Sequence, residues 1–183
     1  MGNKLFAVYL GGRAPRCNTE LHDVVFVVGE SIEMSYERLM DKWFGDPLRL
    51  HIDSWIELRC VDGYRISLRP SPAATDRKLY FINLGGYKPG EFEEYHYKTI
   101  VAGPDKGAAV RRSKETAFYK HVGFKGAESH IDDKYGIDVD DAHEIDDILP
   151  PDTKGTYMLE VLPATGGAED ELHIGYVKLE KLK

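Results

Sequence analysis

The chain of 183 residues is 42% hydrophobic and 30% charged, the composition of a globular protein rather than a disordered one. No run of 18 apolar residues occurs, which excludes a transmembrane helix, and two cysteines make neither a disulfide framework nor a metal motif. The net charge of −7 is uneven: residues 128–152 carry ten acids against Lys134, leaving the rest of the chain at +2, so the strong basic field that nucleic acid requires is missing.

In chain order, residues 5–10 are a short apolar run closed by Gly11-Gly12, which predicts a buried strand. Residues 22–28 (His-Asp-Val-Val-Phe-Val-Val) predict a second strand, rich in β-branched side chains and stopped by Gly29. From 31 to 44 the period changes: Ile32, Tyr36, Leu39, Met40 and Trp43 share one helical face, and Gly45 and Pro47 end it. Residues 50–60 alternate with period two, and Asp62-Gly63 is a turn signal before residues 64–68, so a hairpin is expected. Pro70 to Arg77 has no periodicity and reads as a linker. Beyond it the order recurs: strand 78–84, strand 95–102, a helix from Pro104 to His121, strand 130–139. The acidic, proline-containing stretch 138–154 is expected to be an insertion, followed by a C-terminal hairpin of residues 157–162 and 172–179.

The recurrence is literal. A shift of 74 residues sets Lys4-Leu5 on Lys78-Leu79, Leu10-Gly11-Gly12 on Leu84-Gly85-Gly86, Glu20 on Glu94 and His22 on His96, with 10 identities over the 26 positions 4–29. A five-residue insertion then sets His51-Ile52-Asp53 on His130-Ile131-Asp132. Repeats of this kind bury their faces on one another. The expected fold is therefore α+β: two tandem copies of a strand–strand–helix–strand–strand unit, 1–69 and 78–183, related by a pseudo-two-fold, with the linker 70–77 between them and a C-terminal β-hairpin.

The tandem Lys-Leu-Phe-x-Val-Tyr-Leu-Gly-Gly, the histidine about ten residues on, and the later Leu-His-Ile-Asp before a hairpin resemble the bacterial domain of unknown function 1543. The resemblance covers nearly all of the first copy and the second through Asp132. It implies one or two copies of the domain per chain and carries no catalytic role.

His51-x-Asp53 and His130-x-Asp132 are the sharpest constellations. Residues i and i+2 on a strand point to one face, which stands an imidazole beside a carboxylate, with Trp55, Glu57 and Arg59 continuing that face. Such a pair is either a polar hydrogen-bonded couple or part of a general base or metal site. His22 and His96 begin the second strands; were strands two and three neighbours, each would join its own His-x-Asp pair as a three-ligand set for zinc or iron. Gly11-Gly12 and Gly85-Gly86 follow a strand without leading into a helix, so they are read as backbone glycines, serving positive φ or close approach between the copies, rather than a phosphate loop. The expected function is a cytoplasmic, non-catalytic binding or interaction module with its site at the groove between the copies. A metal-dependent enzyme using the His and His-x-Asp residues, for example a hydrolase, is the alternative. The motifs identify no cofactor. The expected partner is a small molecule or a protein, a second copy of this chain included, with neither nucleic acid nor membrane.

Overall fold

In the computed structural model, residues 2–87, 90–115, 138–166 and 169–182 are described. They form two compact units: unit 1 comprises 1–74 and 148–183, and unit 2 comprises 75–147.

Unit 1 is built on a four-stranded antiparallel sheet in the order β10-β3-β1-β2, from β1 (Lys4–Arg13), β2 (Leu21–Gly29), β3 (Asp46–Glu57) and β10 (Leu172–Lys178). β2 and β3 run parallel to each other but do not pair, because β1 lies between them. The connection crossing β1 is a turn of 3-10 helix, Glu33–Ser35, leading into α1 (Tyr36–Lys42). The helix stops at Trp43, whose backbone is extended, two residues before Gly45. Ile32, Leu39 and Trp43 pack on one sheet face with Phe6, Val8, Leu10, Val25, Val27, Leu50, Ile52 and Leu179, as the helical period predicts. A second, three-stranded sheet joins β4 (Cys60–Val61), β5 (Tyr64–Arg69) and β9 (Met158–Pro163). The expected turn links β4 and β5, with both Asp62 and Gly63 at positive φ, the requirement of a type I′ turn.

Unit 2 has the sheet order β7-β6-β8, from β6 (Lys78–Tyr87), β7 (Glu94–Gly103) and β8 (Asp138–Glu144). Its helix α2 (Lys106–Lys114) starts at Asp105, whose side chain accepts from the Ala108 amide at 2.8 Å. Tyr80, Ile82, Leu84, Val101 and Ala109 form its core. In both units the first strand lies between the second and the third.

Three expectations are corrected. The C-terminal strands do not form a hairpin: β9 pairs with β5, and β10 with β3. Each thereby covers a strand edge that would otherwise leave unpaired backbone groups. The connecting loop is pinned by Asp170, whose carboxylate accepts from the Arg59 and Cys60 amides, both at 2.8 Å. Consequently residues 148–183 belong to unit 1 rather than to a second unit running from 78 to 183. Nor is the acidic stretch 138–154 an insertion; it supplies β8 and two single-turn helices, Ile145–Ile148 and Pro151–Lys154. Of the expected strand 130–139, Asp138 and Val139 are seen in β8, and residues 130–137 lie outside the described set.

Glu160 on β9 ties down the segment after β5. It accepts from the Ala73 amide and the Ser67 hydroxyl, and these bonds together with Arg69 hold its carboxyl below the usual range. A fragment of residues 1–74 lacks β9, β10 and Glu160, and is expected to show no cooperative thermal unfolding by circular dichroism. A sharp transition near that of the full chain would contradict this interleaving of the two ends.

Candidate functional site

Gly11 on β1 lies opposite His22 on β2 and His51 on β3, so the three residues stand in one row across the sheet. Leu10 points into the core, hence Gly11 faces the other side. Two residues beyond His51 the ladder is irregular: Leu10 pairs with Ile52 and Tyr9 with Ser54, which makes Asp53 the extra residue of a β-bulge. A bulge bends its strand and re-aims the side chain it carries. It also reverses the alternation that follows, so Trp55 and Glu57 lie opposite Val8 and Phe6 on the core row, and Trp55 packs edge-on against Phe6. The expected continuation of the His51 face through Trp55, Glu57 and Arg59 is thus corrected by one residue.

Glu20, His22, His51 and Asp53 close a ring. His22 Nε2 lies 3.4 Å from Asp53 Oδ2 and 3.8 Å from Glu20 Oε2, while His51 Nε2 lies 3.4 Å from both Asp53 Oδ1 and Glu20 Oε1. Each carboxylate therefore turns one oxygen to each imidazole. Tyr9 stacks on His22 at 5.3 Å between ring centres, and Tyr176 of β10 tilts over His51 at 4.3 Å. Burial, reinforced by the charges of Asp53 and Asp23, pushes the Tyr9 hydroxyl above its usual range and keeps it neutral.

His51 is only 3% exposed, and its Nδ1 lies 3.1 Å from the Arg49 carbonyl. A carbonyl oxygen only accepts, so Nδ1 carries a proton and donates it. When the ring is neutral, Nε2 is then a bare lone pair facing two carboxylates. Asp53 Oδ2 is likewise buried with no hydrogen-bond partner. Acceptors confronting acceptors in this way require a proton or a cation between them.

Unit 2 has a comparable arrangement, with one imidazole in it among the described residues. Gly85 lies between His96 and Asp138, and Asp140 is the bulged residue, since Leu84 pairs with Val139 and Asn83 with Asp141. His96 Nε2 is 3.2 Å from Asp140 Oδ2 and 3.8 Å from Glu94 Oε2. One donor atom from each of Glu94, His96 and Asp140 lies within 4.8 Å of the others, the one such convergence among the described residues. The strand register therefore answers His51 and Asp53 with Asp138 and Asp140. The partnered pairs Lys4–Glu57 and Lys78–Glu144, each 2.9 Å, fix the same correspondence. His130 and Asp132, aligned with them by identity, lie outside the described residues.

The glycines have a different use from the expected one. Neither Gly11 nor Gly85 has positive φ. A Cβ at Gly11 would overlap His51 Nε2 and sit 2.7 Å from Asp53 Oδ2, and one at Gly85 would overlap Asp140 Oδ2. Gly12 makes room for Trp43 on the core side, 2.7 Å from where its Cβ would be, and Gly86 lies opposite Tyr95. Five participants were not singled out from the sequence: Glu20, Glu94, Tyr9, Tyr176 and Asp140. The identity of Glu20 with Glu94 in the 74-residue repeat was the available signal for two of them. Two surface hollows of unit 1, of about 410 Å³ beside Lys4 and Tyr157 and about 670 Å³ beside Arg13 and Phe44, include none of the four ring residues.

Ligand atoms about a tetrahedral ion with bonds near 2 Å stand roughly 3.3 Å apart; the pairwise contacts of both units approach that spacing, and in unit 2 the three donors also lie close to one another. The His51 anchor to a backbone carbonyl is the second-shell bond that metal-ligating histidines commonly make. Gly11→Ala is expected to destabilise unit 1 by about 1–3 kcal/mol through overpacking against buried His51. Gly155→Ala, with nothing within 4 Å of its Cβ position, should shift stability by less than about 0.5 kcal/mol. Equal urea midpoints for the two variants would show that Gly11 is not filled from the neighbouring strands.

Residues 17–68 match the family model described as Domain of Unknown Function (DUF1543). No curated protein matches the chain. A solved structure, that of the protein Il1583 from Idiomarina loihiensis, is similar over 97% of this chain and 98% of its own, at 32% identity and a TM-score of 0.66. Its backbone likeness extends through both units, well beyond the stretch the family model matches. The chain is a member of the domain of unknown function 1543 family.

Proposed function

We propose that the protein is a divalent-cation-binding module made of two tandem copies of one strand–strand–helix–strand unit, each holding its ion in a His–carboxylate cradle over a strand glycine. The observation that carries this reading is the His51 environment: a buried imidazole whose Nδ1 is committed to a carbonyl and whose Nε2 faces two carboxylates, beside a buried carboxylate oxygen that accepts no hydrogen bond. A cation that draws these side chains together satisfies all of these groups. The binding site is placed within each unit, since Glu20, His22, His51 and Asp53 belong to unit 1 and Glu94, His96 and Asp140 to unit 2. The copies are supported by the shared strand order, the two bulges and the matching Lys–Glu pairs. Cys17 and Cys60 are free thiols, which suits a cytoplasmic setting.

A second reading, a metal-dependent hydrolase, is favoured by one feature. The Glu94, His96 and Asp140 side chains are each about a third exposed, leaving room for water at the ion, as catalytic metal sites require. Turnover of generic phosphate or carboxylic esters by the metal-loaded chain would move the assignment from module to enzyme.

The full chain, stripped with chelator and dialysed against zinc, is expected to retain about one ion per unit by elemental analysis. His22→Ala combined with His96→Ala should abolish that content while the circular dichroism spectrum persists. A wild-type chain holding no stoichiometric metal would assign the ring to a protonated imidazole network instead.

A further inference from the structure

We infer that the free edge of β10 is the surface through which two copies of this chain join, antiparallel about a two-fold at Ile174, so that the four-stranded sheet of unit 1 continues into its partner's. The inference stands apart from the cation-binding reading and concerns another part of the same sheet.

β10 ends the sheet order β10-β3-β1-β2; it pairs with β3 on one side and, among the described residues, with no strand on the other. Alternate backbone N–H and C=O groups on that side are open to a further strand. Natural edges are blunted by lysine, proline or inward-pointing charge. From Leu172 to Val177 β10 carries no acid, lysine, arginine or proline, and Leu172, Ile174 and Tyr176 are 56%, 80% and 62% exposed. β2, the other edge strand, has no large apolar side chain exposed.

The three side chains share a side of the sheet. Ile174 lies opposite Ser54, and Ser54 opposite Tyr9, on the side that carries the cradle. Tyr176 tilts over His51 on that side, and Leu172 joins them by alternation. His173 and Val177 point the other way, His173 stacking on Trp55 and Val177 packing against the core. The irregular register between Ile174 and Val177 therefore leaves the alternation of β10 itself intact.

The charges at the ends of the strand point to a second copy as its occupant. β10 is entered through Glu169, Asp170 and Glu171 and left through Lys178, with Lys181 one turn on. An antiparallel copy lays the acidic end of each strand along the basic end of the other, whereas a parallel copy would set like charge on like. A two-fold normal to the sheet keeps opposite residues on one face. Centred on Ile174, it sets that residue on the partner's Ile174, Leu172 on the partner's Tyr176 and Tyr176 on the partner's Leu172, an unbroken row of apolar cross-strand pairs. Lys178 then stands level with the partner's Asp170 at each end. The partner's Leu172 would thereby back the ring that lies over His51.

At micromolar concentration the full chain is expected to sediment at twice the 20.7 kDa of one chain. Ile174→Lys, which puts two ammonium groups face to face at the axis, should return it to a single chain with an unchanged circular dichroism spectrum, because the side chain is exposed. Oxidation reads the register. Ile174→Cys brings its two copies to about 4.5–5.5 Å between Cα atoms, and should link the chains by a disulfide. Leu172→Cys, displaced from its own copy by about 13 Å along the strand, should link no more than the wild type, which carries Cys17 and Cys60. A wild-type chain that stays single would overturn the inference and leave the edge to an extended segment of another protein. A dimer that survives Ile174→Lys, or that links no better through residue 174 than through residue 172, would place the contact elsewhere and overturn it equally.

Discussion

Neighbouring strands of a sheet lie about 4.8 Å apart, so side chains on strands flanking a common neighbour are separated by whatever that middle strand carries. At Gly11 it carries nothing, and His22 and Asp53 from opposite flanks come within 3.4 Å over the bare backbone. Everything distinctive about the candidate site follows from that missing Cβ. A methyl group at Gly11 would occupy the space of His51 Nε2, and one at Gly85 that of Asp140 Oδ2. The middle strand is rigid where it matters, because its alternate residues Phe6, Val8 and Leu10 are locked into the core beneath.

The bulges convert this gap into a constellation. Regular alternation would place residues 51 and 53 side by side; the extra residue instead bends β3 so that Asp53 reaches toward β2 while Ile52 keeps its place in the core. Its cost is an irregular ladder and a carboxylate oxygen deprived of hydrogen bonds, an arrangement that buried polar groups normally avoid. The same irregularity at Asp140, in the same relation to a glycine, argues that it serves the site rather than the fold. The exposed Lys4–Glu57 and Lys78–Glu144 pairs beyond the bulges contribute little energy but mark the end of each third strand consistently.

Much of this was legible in the chain. The 26-position repeat locates β1, β2, β6 and β7, their glycines, and the histidines that enter the cradles. Helix α1 is readable from Ile32, Leu39 and Trp43, whose spacing matches the buried stripe. Two things were not legible. His130-Ile131-Asp132 matches His51-Ile52-Asp53 by identity, yet the residue that pairs beside Gly85 is Asp138; a local identity does not fix the register of a sheet edge. The condition set for convergence was adjacency of strands two and three, whereas the chain achieves it with β1 interposed, through a glycine whose role needs the register to be seen. The C-terminal strands failed similarly: β9 and β10 resemble a hairpin locally, and their partners lie roughly a hundred residues away on β5 and β3.

The proposed cation sits over Gly11 among side chains drawn from β2 and β3, two strands that do not pair. Crystals of the full chain grown with zinc, measured on either side of the zinc absorption edge, report on that position directly. An anomalous peak within bonding distance of His22, His51 and Asp53 is the expected result. Ordered density for all three side chains with no anomalous peak between them, from zinc-saturated crystals, would contradict it.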